Sequence, residues 1–290
     1  MSAPLVSVDS AFSEHVTTRT PLELRHRLCD EPMLTLDSIA ALGAELGPES
    51  ISAERAHKGL VAEADDVAAR PADIAAQILG LAASDSWFTL LNIEHADGYR
   101  ALVDRILDSM ADAGGMSRDT LRRRMGFVFA SSPRSVTSAH FDIEQSIMFQ
   151  LAGERTLAFG RFAGAAHRQR EIDRYWSASS SFGRLESMPE KVSELVVKPG
   201  VGCYIPPYTP HWLTNGPSAS LSLTVTFFER SNEDESMVQA FNARLGRRNV
   251  AMRPYGERPA VDRAKVAGMR SYRMLRNLAR RGQQERSASH

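Results

Sequence analysis

Two histidines and one aspartate have the residue types and the spacing of a metal site. One residue separates His140 from Asp142, and His211 follows seventy-one positions after the first histidine. Side chains alternate along a β-strand, so residues two apart point to the same side, whereas a helix would splay them. Two imidazoles and one carboxylate on one face of an octahedron bind a divalent first-row metal and leave three positions open. Non-haem Fe(II) oxygenases use this ligand set.

The segment before His211 indicates a rigid bend. A Pro-Gly turn at residues 199–200 leads into the apolar stretch 201–205, and prolines then occupy positions 206, 207 and 210. Proline fixes its own φ and restricts the residue before it. A preorganised ligand loses little entropy when it binds a metal. The alternative interpretation is a proline-rich turn that carries His211 incidentally.

The elements that would position these residues have the pattern of β-strands joined by turns. Residues 220–227 alternate with period two, which favours a strand with one apolar and one polar face. The apolar face holds Leu221, Leu223, Val225 and Phe227, and the polar face holds Ser220, Ser222, Thr224 and Thr226. We expect the polar face to line the interior of a barrel near the site, as a pocket for a polar ligand.

These segments resemble the JmjC/cupin-8 group of double-stranded β-helix proteins. The resemblance covers roughly residues 86–230 and rests on three stretches: HFDIEQ at 140–145, QLAGER at 150–155, and the Pro-Gly to His-Trp segment at 199–212. It implies a mainly β fold with a double-stranded β-helix (jelly-roll) core.

The same resemblance suggests a division of the chain into three parts. We expect residues 1–85 to form an N-terminal helical or irregular region and residues 86–230 to form the β-helix core. Residues 231–290 would be a helical, arginine-rich C-terminal extension.

The resemblance also implies cofactors and residue roles. The family uses Fe(II) and 2-oxoglutarate, and His140, Asp142 and His211 fall on its iron ligands. Thr137 falls on the hydroxyl that hydrogen-bonds the C5 carboxylate of 2-oxoglutarate. Arg155 falls where many members have a lysine that pairs with this carboxylate, and arginine can bind a carboxylate bidentately. The alternative is that Arg155 is a solvated charge in a hairpin. The co-substrate would then be held by another residue, of which Lys198 is the first candidate, or would not be used.

The activity implied is that of a 2-oxoglutarate-dependent dioxygenase, which converts 2-oxoglutarate to succinate and carbon dioxide as it oxidises its substrate. We expect a hydroxylase of an amino acid, of a peptide or protein side chain, or of a small natural product. The sequence leaves open whether the product is hydroxylated, demethylated or desaturated. Two alternatives are a metal-binding cupin that is not such an oxygenase (an isomerase or a co-substrate-free dioxygenase) and a ligand-sensing regulator without catalysis.

Composition excludes several other classes. With 290 residues, 43% of them hydrophobic, the chain can bury a full core. Its two cysteines, Cys29 and Cys203, are too few for a disulfide framework or a Cys-rich zinc site. No P-loop or dinucleotide fingerprint occurs. The first thirty residues lack an apolar signal region, and no apolar run approaches the ~20 residues of a membrane span. We therefore expect a cytoplasmic protein.

The C-terminal segment is strongly basic. Between Arg244 and Arg286 thirteen arginines and lysines stand against three acidic residues, a local charge of +10 in a chain whose formal net charge is zero. Two helices are expected, at 233–248 and 259–282, and the second carries an apolar stripe of Met269, Tyr272, Leu275 and Leu278. The family often dimerises through such helices, so we expect a homodimer. Packing within one chain is compatible with the same stripe, and nucleic-acid binding is the disfavoured alternative.

Three other segments carry expectations. Residues 21–28 have the pattern of a short helix, and residues 96–114 have that of a long amphipathic helix. The stretch 163–190 is polar and rich in serine, so we expect a long loop there, where the family places an insertion near the substrate. His167, within this stretch, is expected to be a surface residue.

Overall fold

A computed structural model describes residues 5–8, 12–61, 63, 67–177, 183–246 and 253–287, although side chains are described only to residue 276 and not at residue 246. The chain divides into two compact units. The first comprises Met1–Gly164 and Phe182–Glu229, and the second comprises Ala165–Ser181 and Arg230–His290.

The first unit is built on two antiparallel sheets. An eight-stranded sheet has the order β1-β2-β10-β7-β12-β5-β4-β3, and a four-stranded sheet has the order β6-β11-β8-β9. The strands are β1 (Val6–Ser7), β2 (Leu22–His26), β3 (Ile51–Arg55), β4 (Ser86–Leu91), β5 (Arg122–Ser131), β6 (Val136–His140), β7 (Gln145–Ala152), β8 (Arg155–Arg161), β9 (Glu190–Val197), β10 (Val201–Ile205), β11 (His211–Asn215) and β12 (Ser220–Phe228). This is the double-stranded β-helix that the sequence predicts.

Helices complete both units. The first unit contains α1 (Phe12–Thr18), α2 (Leu36–Glu45), α3 (Ile74–Leu79) and α4 (Tyr99–Ala113), and the second contains α5 (Ala165–Ser177), α6 (Arg230–Gly246) and α7 (Pro259–Ser287). The predicted amphipathic helix near 96–114 is confirmed as α4, and the two predicted C-terminal helices are confirmed as α6 and α7. None of the helices in the described ranges has the length and apolar content to cross a membrane.

The two faces of β12 separate two environments, as its alternation predicts. Its apolar residues Leu221, Leu223, Val225 and Phe227 lie in the main hydrophobic core together with the apolar side of α4. Its polar residues are also buried, and one of them, Ser222, accepts a hydrogen bond from Arg155 of the other sheet. The polar face therefore lines the interior between the two sheets.

The interior also has an apolar part. Met148 of β7, Leu157 of β8 and Leu213 of β11 belong to one buried cluster that draws on both sheets. Every strand pair is antiparallel, so the directly opposed residues of neighbouring strands share a face. Register therefore fixes which side chains meet inside the barrel.

The predicted helix at residues 21–28 is wrong. Leu22–His26 form β2, which pairs with β1 on one side and with β10 on the other. Leu24 and His26 are buried while Glu23 and Arg25 are exposed, so the segment follows a period of two. A free edge of the main sheet beside β10 recruits the segment as a strand, and tertiary pairing overrides helical propensity. With β1 and β3, residues 1–85 contribute three strands to the sheet in addition to their helices.

The expected long loop at 163–190 is also wrong. Residues 165–177 form helix α5, in which Glu171 and Ile172 are buried, and residues 178–182 lie outside the described part of the chain. His167 approaches Glu171 within 3.5 Å one helical turn away. The signal is weak in the sequence because only one side of this polar helix is buried.

The second unit has a small core of its own. Met237, Val238 and Ala240 of α6 pack with Val266 and Met269 of α7. The remaining stripe residues of α7 point outward, with Tyr272 44% and Leu275 67% exposed. The side chain of Leu278 lies outside the described part.

Candidate active site

The three candidate ligands come together at one end of the four-stranded sheet. His140 is the last residue of β6, and the antiparallel register places it opposite His211, the first residue of β11. Their ring centroids are 4.1 Å apart. Asp142 follows β6, and its Oδ2 lies 3.9 Å from Nε2 of His211. One ligand atom from each of the three residues lies within 4.8 Å of the others.

Backbone carbonyls orient both imidazoles. Nδ1 of His140 lies 2.8 Å from the carbonyl oxygen of Ser138, and Nδ1 of His211 lies 3.0 Å from that of Thr209. A carbonyl oxygen only accepts, so each Nδ1 carries a proton and each Nε2 keeps its lone pair for a metal. Burial, together with the neighbouring His211, lowers the pKa of His140 to about 4. This imidazole is therefore neutral at neutral pH, which is the form that binds metals.

Asp142 is fixed from two directions. The hydroxyl of Ser146 on β7 donates to its Oδ2 at 2.9 Å. The backbone carbonyl of Asp142 accepts from the amide of Tyr208 at 2.7 Å, inside the proline-rich bend that precedes His211. Tyr208 has a φ of +58°, a conformation that a bulky residue rarely adopts. The bend is therefore held to the backbone of Asp142, and this contact positions Asp142 relative to His211.

Arg155, at the start of β8, is a buried cation inside the barrel. It is only 2% exposed, so it is not a solvated hairpin charge. It donates to Oγ of Ser222 at 3.0 Å and to Oγ1 of Thr137 at 3.1 Å, while its Nε has no partner in the described part of the chain. Burial lowers its pKa to about 10, so the guanidinium remains charged at neutral pH.

No carboxylate in the described ranges forms an ion pair with Arg155. A buried charge without a counter-charge is costly unless a ligand supplies one. The two hydroxyls that it contacts are neutral and leave its charge uncompensated. This part of the barrel therefore has the chemistry of a site for a small carboxylate, and Thr137 lies within reach of the same group.

Two residues of the site have weak signals in the sequence. Ser146 lies on the interior face of β7, and only the fold brings it to Asp142. Asn215 pairs with Arg155 in register and donates to Ser131 and Ser132, and its Oδ1 has no partner in the described part. Its position four residues after His211, on the same face of β11, is the one clue that the sequence offers.

Lys198, the alternative anchor, lies at the surface. Its side chain is 63% exposed, and its Nζ is 3.9 Å from Oε2 of Glu154. Arg155 is the better candidate for a carboxylate partner because it is buried and faces the interior. The donor set of two imidazoles and one carboxylate suits Fe(II), and the buried arginine with its hydroxyls suits a dicarboxylate.

Comparisons with known proteins identify the class of fold. Neither a protein-family model nor a curated protein matches this chain. Among solved structures, the X-ray structure of Escherichia coli YcfD is similar with a TM-score of 0.54 and 13% identity, over 94% of this chain and 70% of that chain. A crystal structure described as the E. coli ribosomal oxygenase YcfD gives a TM-score of 0.51 and 14% identity, over 93% and 68%. At this identity the likeness establishes the fold, and the predicted double-stranded β-helix core is confirmed.

Proposed function

We propose that this protein is an Fe(II)- and 2-oxoglutarate-dependent oxygenase that acts as a hydroxylase. The observation that carries the proposal is Arg155, a buried cation without an anionic partner in the described part of the chain, in the same barrel as a histidine–aspartate–histidine cluster. A metal site alone would suit many cupins. A metal site combined with a carboxylate site suits an enzyme whose co-substrate chelates iron at one end and carries a free carboxylate at the other.

Each residue has a defined task in this proposal. His140, Asp142 and His211 hold the metal from one side and leave the opposite side open. Thr137 and Arg155 hold the C5 carboxylate of 2-oxoglutarate, which fixes the direction of the molecule along the barrel. When bound, iron and 2-oxoglutarate supply the oxidising chemistry with dioxygen. The protein binds, orients and encloses the reactants.

The substrate class follows only in outline. The fold is shared with a protein described as a ribosomal oxygenase, which favours a side chain of a peptide or protein. Amino acids and small natural products remain within the proposal, because a fold does not determine a substrate. We also propose that residues 86–230 form the catalytic core and that α7 mediates a homodimer. A cytoplasmic location stays a prediction of the sequence.

The test is turnover of 2-oxoglutarate by the purified full-length protein. We expect succinate to form when Fe(II), ascorbate and dioxygen are present, slowly without substrate and faster with peptides or protein extract. Asp142→Ala should abolish succinate formation, while Arg161→Ala should leave it unchanged because Arg161 is exposed on the same strand as Arg155. Iron binding without any succinate would contradict the proposal and favour a cupin of another activity.

A further inference from the structure

Strand β5 presents a row of apolar side chains to the interior that the site described so far does not use. Met125, Phe127 and Phe129 alternate along this strand and are only half-buried, whereas Gly126, Val128 and Ala130, which point to the other face, are buried. Trp87 of β4 contacts Phe129, with ring centroids 5.7 Å apart. We call Met125, Phe127, Phe129 and Trp87 the aromatic shelf.

Register places this shelf beside the site. On β12, Ser222 is opposite Phe129, Thr224 is opposite Phe127 and Thr226 is opposite Met125. Directly opposed residues share a face of the sheet, so the shelf lies on the side that looks into the barrel. Ser222 is the residue that Arg155 contacts, which places Phe129 next to the carboxylate site.

The other end of the shelf lies on the side of the candidate metal ligands. Thr226 is opposite Ser146 on β7, and Ser146 donates to Asp142. Met125 is therefore two strands, or about 10 Å, from Ser146, the residue that contacts Asp142. The shelf runs alongside the proposed site from the level of Asp142 to the level of Arg155.

The neighbours of the shelf on β4 are mainly apolar, and the exception is the buried Thr89 opposite Phe129. Leu91 of β4 is opposite Phe127 and is also half-buried. An ion pair between Lys58 and Glu54 borders the far side, where Nζ of Lys58 lies 4.8 Å from the centre of the Trp87 ring. Nε1 of Trp87 is buried and has no hydrogen-bond partner in the described ranges.

We propose that the aromatic shelf binds an aliphatic or aromatic side chain of the substrate, presented in a peptide or protein, and so selects an apolar residue for oxidation. This inference rests on the proposed function, because the shelf matters through its position beside the metal and the co-substrate. Aromatic and apolar surfaces that keep partial exposure next to a reactive centre bind by excluding water. A charged side chain would lose its hydration there without gaining a partner on the shelf.

The test uses fluorine NMR of the full-length protein labelled with 5-fluorotryptophan. The chain has three tryptophans, Trp87, Trp176 and Trp212, and the signal of Trp87 is assigned with Trp87→Phe. The probes are N-acetyl-phenylalaninamide and N-acetyl-leucinamide, with and without Zn(II) and 2-oxoglutarate. They are compared with two charged probes, N-acetyl-argininamide and the α-amide of N-acetyl-aspartate, which keeps its side-chain carboxylate. We expect the two apolar probes to shift the Trp87 signal saturably and the charged probes to leave it in place.

Variants sharpen the result. Phe129→Ala should weaken binding of the apolar probes by about tenfold or more, the loss expected for one buried aromatic contact, and Phe129→Leu should restore most of it. Leu79→Ala, which changes an exposed apolar residue of α3, is the control and should leave binding of the probes unchanged. If Phe129→Ala does not fold, as judged by thermal unfolding, Phe127→Leu replaces it and should favour the leucine probe relative to the phenylalanine probe.

Several outcomes would overturn the inference: no saturable shift with the apolar probes, an equal response to a charged probe, or unchanged binding in a folded Phe129→Ala protein. The readout does not depend on turnover. Binding of apolar probes without succinate formation would leave the shelf in place and contradict the oxygenase. Succinate formation stimulated only by charged peptides, with no change in the Trp87 signal, would support the oxygenase and contradict the role of the shelf.

Discussion

At the scale of single residues, the meeting of His140, Asp142 and His211 could be predicted, but the residues around them could not. The spacing of His140 and Asp142 fixes their common direction on a strand, and the prolines mark the bend before His211. Sequence cannot show that Ser146 reaches Asp142, because the contact depends on how β7 runs past the end of β6. Burial of Arg155 is equally invisible, since Gly153 and Glu154 before it suggest a surface turn.

We predict that the full-length protein binds one Fe(II) per chain and that His211→Ala reduces iron affinity at least about 100-fold. A bound metal loses one of three protein ligands in this variant, which is a larger defect than the roughly 10–100-fold effect of losing a supporting hydrogen bond. Anaerobic titration with metal analysis measures the change. His57→Ala, a half-exposed histidine that contacts Asp85, is the matched control. Full iron occupancy in the His211→Ala protein would exclude this ligand set.

Ser146→Ala should have the smaller effect. Its hydroxyl donates to Oδ2 of Asp142, so its loss leaves the carboxylate in place but free to rotate. We expect iron affinity to fall by about 10–100-fold with no change in affinity for 2-oxoglutarate in a Zn(II)-loaded protein. Equal affinities for iron in the variant and the wild type would show that the bend at Tyr208 alone holds Asp142.

Arg155→Ala should weaken binding of 2-oxoglutarate by roughly 1.5–3 kcal/mol, the scale of a hydrogen bond to a charged group. Iron binding should be unchanged, because Arg155 contacts hydroxyls and not the metal cluster. Arg155→Lys, which keeps the positive charge, should recover part of the affinity as a point charge. Calorimetry with the Zn(II)-loaded protein measures the affinity of the wild type and of both variants for 2-oxoglutarate. An unchanged affinity in Arg155→Ala would show that another residue binds the carboxylate.

At the scale of elements, the strands that build the barrel were predictable, but two other segments were not. Residues 220–227 alternate between apolar and small polar side chains, so both the strand and its two faces follow from the sequence. Residues 22–26 become a strand only because β10 offers an open edge, and residues 165–177 become a helix although most of their side chains are polar. In both segments the deciding contacts come from elsewhere in the chain.

The turn between β7 and β8 gives a test at this scale. Gly153 has a φ of +69°, and a Cβ there would lie 2.3 Å from the carbonyl oxygen of Ala219. Gly153→Ala should therefore lower the free energy of unfolding by about 2–4 kcal/mol, through clash and backbone strain together. Gly115→Ala is the matched control, because Gly115 has a φ of +67° in open space and isolates the strain. Urea unfolding measures both, and equal losses would show that the Ala219 contact yields without cost.

At the scale of the whole molecule, charge and apolar surface are distributed unevenly. The basic tail contains α7, whose outward residues include Tyr272, Met274 and Leu275, each more than 40% exposed. The stripe predicted from the sequence is thus divided, because Met269 is buried in the core of the second unit while the residues after it are exposed. The spacing of the apolar residues could not predict this division, because a helical period does not show how far along the helix its packing partner extends.

We predict that the protein is a dimer in solution and that Met274→Glu with Leu275→Glu makes it a monomer. The two charges disrupt an apolar contact between copies but leave Val266 and Met269, which hold α7 to α6, untouched. Sedimentation at micromolar concentration measures the change, and Arg263→Glu on the same helix is the control. A wild-type protein that sediments as a monomer would exclude self-association through α7.

The pairing of His140 with His211 has a consequence for which metal the protein acquires. The register of β6 and β11 brings the two imidazoles together by backbone hydrogen bonds, so the nitrogen pair exists before any ion arrives. A ready-made nitrogen-rich site follows the general order of divalent affinities, in which nickel, copper and zinc bind more tightly than Fe(II). Raw affinity therefore does not select iron at such a site, and the selection depends on geometry and on the supply of metals in the cell. Protein passed over nickel resin should carry the wrong ion and should need chelation before Fe(II) is added.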